Sequence, residues 1–356
     1  MKILLTSEFF LSGQSTHVLD LAIQLHRLGQ QIAIAYTNIH AKEFYTDYGP
    51  MLRKNGISYY LASTQAKLAQ IVRYYQPQII HCHSSTIFAL CSKLAQIYGT
   101  GFVVTCHGLG FSHPKYKQAL DMAHRIIAVG PNAAAEIPHA FHDKVVIIPN
   151  GIDIERFTPG KKENKLHVYY IGRLDWSKVP ALSKLQQVIE RIPVLDLTIV
   201  SNWHPPLNNV QFLPWETHIE KVMSRANIVA ACGRTAREAL ACGCAVLLMN
   251  TSYDGIISPH LVGSPDFDFS GNIGRYSFST MYHDLYRLVT NQDQLMRLQK
   301  FGREYAIQDL SSRKMAENTL AVYNEILETL NQKQLPIINY RAGHQRLNRI
   351  RRSTRW

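Results

Sequence analysis

The stretch from Asn227 to Asn250 constrains the fold of this chain more than any other. Residues 228–231 form an apolar run of strand length, Gly233 supplies a turn, residues 235–242 are helix formers, and Gly243 stands where a helix C-terminal cap belongs. Residues 245–249 are a second fully apolar run, the pattern of a parallel strand buried on both faces. A βαβ unit this short leaves its turn and the amino end of its helix at the carboxyl edge of a sheet, where open α/β sheets bind ligands. First-turn N–H groups at that edge favour an anion. Glu238, one turn in, is placed to accept hydrogen bonds from a polyol such as a ribose, although an acid near a helix start is also favoured for helix stability alone.

The flanking sequence repeats this logic. Strand-like runs occur at 2–6, 31–36, 57–61, 78–83, 102–107, 125–129 and 144–149, with helical patterns between them. The clearest helix is 17–28, where Val18, Leu21, Ala22, Leu25 and Leu28 share a stripe and Gly29 stops it. Strands alternating with helices imply a doubly wound parallel sheet. The first βα loop, 7–15, has a single glycine, Gly13, so a G-x-G-x-x-G dinucleotide site is not expected there. After Pro159-Gly160 a charged spacer, residues 161–165, precedes a second series: strand-like runs at 166–171, 195–201 and 209–213, and helical ones at 179–191 and 218–226. Residues 279–290, 294–308 and 312–330 read as closing helices. The expected organisation is a domain at 1–160, a domain at 161–310, a closing helix at 311–332 and a tail at 333–356.

A chain of 356 residues, 46% hydrophobic and 18% charged, suits two globular domains. No run approaches the roughly 18 apolar residues of a membrane span, and the opening residues read as a buried strand instead of a signal peptide. The six cysteines include no C-x-x-C pair and lie in or beside apolar segments, which points to free thiols in a reducing, cytoplasmic setting. In His81-Cys82-His83 the two histidines share a strand face and Cys82 points away, so at most two ligands converge and no metal site is expected. The net charge of +12 is uneven: seven of the 38 basic residues lie in 333–356, which has no acid, and the other 31 face 26 acids. That tail also carries Leu335, Ile337, Ile338, Tyr340, Leu347, Ile350 and Trp356, a composition suited to an anionic membrane surface or to a solvated terminus. The folded part offers no recognised nucleic-acid reader.

Glu238-Ala-Leu-Ala-Cys-Gly243 followed by Ala245-Val-Leu resembles the "EAMAxGxPV" segment of retaining GT-B glycosyltransferases of the family 4 type. Thr105-Cys-His-Gly108 is similar to "TxHG"; Ile148-Pro-Asn-Gly-Ile-Asp153 with Phe157 and Pro159 to "PNGxDxxxFxP"; Gly172-Arg-Leu174 followed by Lys178 to "GRLxxxKG". The motifs keep the family's order over about residues 1–325. The resemblance implies two Rossmann-like domains facing across a cleft, and transfer of a sugar from a nucleotide-sugar, most readily a UDP-sugar, with retention. The acceptor would be a glycan or lipid-linked molecule in cell-surface polysaccharide or glycolipid synthesis. It implies no metal and no cofactor, because Arg173 and Lys178 would neutralise the diphosphate, with His107 facing the donor sugar. Gly13, Gly233, Arg234, Thr235 and Glu238 would complete the donor site. Asn150-Gly151 and Asp153 read as a turn between the domains.

Four departures stand out. Val179 replaces the glycine after the lysine, and Arg234 follows Gly233 where the family has "GFG". Asp254-Gly-Ile-Ile-Ser258 stands for the "GGxxE" loop. Ala230 stands eight positions before Glu238, where the family carries a first glutamate that touches the transferred sugar. The retaining mechanism proposed for the family uses the donor's own phosphate as base, so no nucleophile is lost. The departures leave two alternatives open: a degenerate member that binds nucleotide or glycan, or partners an active transferase, without turnover, and a UDP-sugar 2-epimerase.

Overall fold

A computed structural model describes residues 1–216 and 218–334. All but the first cation of the basic tail, and with it the expectation of a membrane surface, lies outside the described residues. The chain divides into two compact units: Met1–Val129 with Ala133–Ile148 and the segment from Ala316 on, and Gly130–Asn132 with Pro149–Met315.

The first unit contains β1 (Lys2–Phe9), α1 (Gly13–Arg27), β2 (Gln31–Ile39), α2 (Gly49–Lys54), β3 (Ser58–Leu61), α3 (Gln65–Tyr75), β4 (Ile79–Cys82), α4 (Phe88–Tyr98), β5 (Gly101–Cys106), α5 (Lys117–Met122) and β6 (Arg125–Ala128). A short α6 (Pro131–Ala135) leads to its last strand, β7 (Val145–Ile147). The seven strands pair in parallel in the order β3-β2-β1-β4-β5-β6-β7. On one face Ile80, Cys82, Phe102, Val104 and Cys106 pack with Leu68, Phe88, Leu94 and Leu120 from the helices. Ile3, Leu5, Ile34, Ile79 and Val103, the alternate residues, are equally buried.

The second unit contains β8 (His167–Ile171), α7 (Val179–Glu190), β9 (Asp196–Ser201), β10 (Gln211–Pro214), α8 (Ile219–Met223), β11 (Ile228–Ala231), α9 (Gly233–Ala241), β12 (Ala245–Met249), β13 (Tyr253–Ile256), α10 (Pro259–Val262), α11 (Phe278–Thr290) and α12 (Gln292–Asp309). Its six strands run in the order β10-β9-β8-β11-β12-β13, parallel except for the β12–β13 pair. Ile228 and Ala230 of β11 face a cluster with Leu182, Leu185, Met281 and Leu285, while Val229 and Ala231 face one with Ala236, Leu240, Leu261 and Ala306. The central strands are therefore covered by helices on both sides, which explains their uninterrupted apolar composition.

Two segments differ from the sequence reading. The stretch beginning at Asp254 is not a loop: Tyr253–Ile256 is an antiparallel edge strand against β12, and Ser258 caps α10 by accepting from Leu261 N. The passage between units falls between Ile148 and Pro149, ahead of the charged spacer. Lys162 Nζ donates to the carbonyls of Ala226 and Cys242 at 2.7 and 2.8 Å, and Asn227 Nδ2 donates to Glu163 O, so the spacer is laced onto the second unit.

The turn at Asn150–Asp153 is held differently. Asp153 Oδ1 accepts from Glu155 N and Arg156 N, and Gly151 lies so close to α13 (Ser312–Gln334) that a Cβ there would meet Ser312 Cα at 2.5 Å. From Ala316 on, α13 belongs to the first unit. There Tyr323 Oη lies 2.6 Å from His81 Nδ1, and Arg125 pairs with Glu325.

Candidate functional site

In the second unit the connections leave β8 on one side for β9 and return on the other at β11. The carboxyl ends of β8 and β11 therefore flank a topological switch point, the position in an open α/β sheet where no loop fills the crevice. Both segments singled out from the sequence emerge there.

After β8, Leu174 N donates to Asn202 Oδ1 at 2.7 Å and Trp203 Nε1 donates to Leu174 O, which pins the loop. Arg173 is exposed. Lys178, at the start of α7, donates to Arg173 O at 2.8 Å and lies 3.6 Å from the Asp175 carboxylate. Asp175 titrates below the usual carboxylate range, chiefly because Ser177 donates to it and secondarily because of Lys178.

After β11 the chain turns at once. Cys232 is extended, and Gly233 adopts φ +59°, the left-handed region that glycine tolerates best; a Cβ would meet nothing within 4 Å there, so backbone geometry is what selects it. Gly233 N donates to Phe269 O at 2.6 Å. At the other end Gly243 has φ +65°, with Gly243 N bonded to Leu240 O and Cys244 N to Ala239 O, the paired bonds of a Schellman cap.

Between these ends α9 presents Arg234, Thr235 and Glu238. Glu238 is only 8% exposed, and its Oε1 accepts from Arg234 Nε at 2.7 Å; Arg234 Nη1 also donates to Gly151 O. Glu238 and Thr235 line an open pocket whose other walls are Ile171, Val200, Ile219 and Met223, with Trp215 and Glu216 beside them. Trp215 is 52% exposed. Arg237, which sequence reasoning passed over, lies 4.2 Å above the Phe269 ring, and burial pushes its pKa down to about 10, so it remains a cation. Nothing in its spacing marks it, since a surface arginine on the polar side of a helix reads the same.

Ala230 is fully buried in β11 and faces the apolar cluster of the second unit. It is therefore not a site position that exchanged an acid for a methyl group. The strand continues to Ala231 and the chain enters α9 two residues later, so the position eight before Glu238 lies in the sheet and not in the turn.

In the first unit the switch point lies between β1 and β4. Gly13 begins α1, which Ser12 caps by accepting from Ser15 N; a Cβ at Gly13 or at Gly108 would meet nothing within 4 Å, so packing demands glycine at neither position. Gln14 Nε2 donates to Ser84 Oγ, which also accepts from Glu8 N, both at 2.8 Å. His107 follows β5, and its Nε2 lies 3.2 Å from His83 Nδ1. The His17 ring on α1 meets it edge-on at 4.7 Å between centroids. One ring nitrogen from each of His17, His83 and His107 lies within 4.8 Å of the others.

The sequence reading placed His81 and His83 together. The structure keeps those two rings adjacent, 4.1 Å between centroids, fixes His81 between Tyr323 Oη and Thr105 Oγ1, and brings His17 and His107 from other elements to His83. Burial holds His81, His83 and His107 well below the ordinary histidine pKa, with neighbouring imidazoles lowering them further.

Residues 11–156 match Glycosyltransferase Family 4. The match spans 146 of the 356 residues. No curated protein matches the sequence. Among solved structures, a glycosyltransferase of Rickettsia africae superposes with a TM-score of 0.70 at 19% identity, covering 91% of this chain and 98% of that one. HepE of Anabaena, solved with UDP and glucose, gives 0.69 at 15%, covering 91% and 99%. Sucrose-phosphate synthase of Thermosynechococcus elongatus gives 0.65 at 17%, covering 92% and 99%. At these identities the likeness is one of fold, the GT-B architecture of two parallel-sheet α/β domains.

Proposed function

We propose that this protein is a retaining glycosyltransferase that moves a sugar from a UDP-sugar to a glycan or lipid-linked acceptor without a metal. The observation that carries the reading is the pocket at the carboxyl ends of β8 and β11, where a buried carboxylate, Glu238, stands among apolar walls. A nucleoside asks for that combination: apolar surface and an aromatic such as Trp215 for the base, and an ionised acceptor for the ribose hydroxyls. The UDP bound by HepE supports the choice of nucleotide.

In the reaction the bond from the sugar's anomeric carbon to the phosphate oxygen breaks, and one from that carbon to the acceptor oxygen forms on the same face. The acceptor proton passes to the departing diphosphate. Charge grows on that diphosphate, so Arg173, Lys178 and the amino end of α9 would act as fixed counter-charges. His107, held neutral, would bond a hydroxyl of the transferred sugar. Gly13 and Gly108, which packing does not require, leave room for a ligand against the backbone.

The short turn between β11 and α9 favours one second reading: a protein that binds the nucleotide but, lacking the acid that would hold the sugar, does not turn it over. A thermal-shift panel of UDP-, GDP- and ADP-sugars, followed by UDP release with and without acceptors, separates the two. A ligand at about 100 times its dissociation constant stabilises by about 2.7 kcal/mol, well within detection. Stabilisation by UDP-sugars with release of UDP supports the transferase; stabilisation without release supports the second reading; no stabilisation by any of them overturns both.

A further inference from the structure

We propose that His17, His83 and His107 form a binding site for a divalent ion of the zinc class. The three come from separate elements, α1 and the residues following β4 and β5, and meet at the switch point of the first sheet. His83 Nδ1 and His107 Nε2 are 3.2 Å apart. Zinc–imidazole bonds of about 2.0–2.1 Å at tetrahedral angles place ligand nitrogens about 3.3 Å apart, so two ligands already have the spacing. The His17 nitrogen, within 4.8 Å of both, reaches the same spacing by side-chain rotation.

His81 is not a fourth ligand. Its two nitrogens are engaged by Tyr323 and Thr105, and its ring packs 4.1 Å from that of His83, fixing the orientation of that side chain. His83 Nε2 is buried without a hydrogen-bond partner, so its ring is poorly served by the protein alone.

An all-imidazole set selects Zn²⁺, Co²⁺, Ni²⁺ or Cu²⁺ over Mg²⁺ and Ca²⁺, which take oxygen ligands. Three protein ligands leave a fourth position for water or an anion. Binding of the ion does not depend on the proposed transfer reaction. One consequence does: an ion on His107 takes that imidazole from the sugar, so Zn²⁺ should lower turnover and a chelator restore it.

The test is Zn²⁺ calorimetry at neutral pH on the whole chain, freed of metal and of any affinity tag. Saturable binding of one ion per chain is expected, weakened at least tenfold in His17→Gln and in His83→Gln and unchanged in His260→Gln, an exposed histidine of the second unit. No saturable binding, or binding that neither cluster variant weakens, overturns the proposal and leaves a His83–His107 hydrogen bond in its place. If the variants do not fold, X-ray absorption at the zinc edge of the unmodified protein decides. Three imidazole nitrogens at about 2.0 Å sustain the site, and any other donor set overturns it. Zinc bound there without loss of turnover would leave the site standing and remove the sugar contact from His107.

Discussion

Glu238 shows how a residue read as a lone ligand in sequence becomes half of a pair in the fold. Its spacing of four from Arg234 puts both on one helix face, and burial makes the 2.7 Å bond between them strong. The bond fixes the carboxylate's orientation at the pocket wall. Glu238→Gln preserves shape but turns a charged acceptor into an amide, and UDP affinity is expected to fall by about 1.5–3 kcal/mol by calorimetry. Unchanged affinity in a folded variant would remove the ribose assignment. Lys178 makes a different prediction, because its Nζ stands beside a backbone carbonyl and a carboxylate and not in the pocket wall. Lys178→Ala should weaken UDP strongly and uridine little; equal losses would mean that the lysine only shapes its loop.

At the scale of elements, α9 was legible before any coordinates because each of its ends is written in local chemistry: glycine at φ +59° to enter and glycine at φ +65° to leave. The length of the turn before it was not, since a glutamate counted by sequence spacing falls inside β11 once the strand is seen to extend to Ala231. The edge strand β13 was missed for a related reason: Asp254-Gly255 reads as a turn, and its strand conformation depends on pairing with β12. Helix α13 makes a buried polar contact where it meets β4. Tyr323 Oη and His81 Nδ1 are 2.6 Å apart, both fully buried. Tyr323→Phe removes the hydroxyl and leaves a buried imidazole nitrogen unpaired, for an expected loss of about 1–3 kcal/mol in denaturant unfolding. A loss no larger than that of a surface variant would show that the contact holds nothing.

Across the whole molecule the buried histidines predict the shape of stability against pH. His81, His83 and His107 have folded pKa values below their unfolded ones, so the unfolded chain binds protons first. Stability is then full above the unfolded value of about 6.5 and falls as pH drops below it. The carboxyls of Asp175, Asp196, Glu220 and Asp266 are held low, so what they contribute is lost only nearer pH 4. Buried thiols such as Cys82 and Cys106, with raised pKa values, cost stability above about pH 8.5. Denaturation midpoints should therefore rise between pH 5 and 7 by more than one proton's slope, then level; a flat profile would refute neutral burial of the cluster. The basic tail makes a prediction of its own. If it binds anionic vesicles, co-sedimentation must weaken at about 1 M salt, where the screening length is about 3 Å, and vanish in a chain ending near Gln332. Equal pelleting of both chains would exclude the tail.

Sequence alone determined the two series of parallel strands, the helices between them and the residues at the carboxyl ends of β8 and β11. Each of these is encoded within a few neighbouring positions, by apolar runs, glycine stops and the loops that follow. Tertiary structure decided the rest. It alone brought His17 and His107 to the His81–His83 pair, joined Arg234 to Gly151, and buried Ala230 in a core. Those outcomes depend on strand order and on where one element ends against another. Residues 66 positions apart, such as His17 and His83, acquire a relation only when β1 and β4 lie side by side.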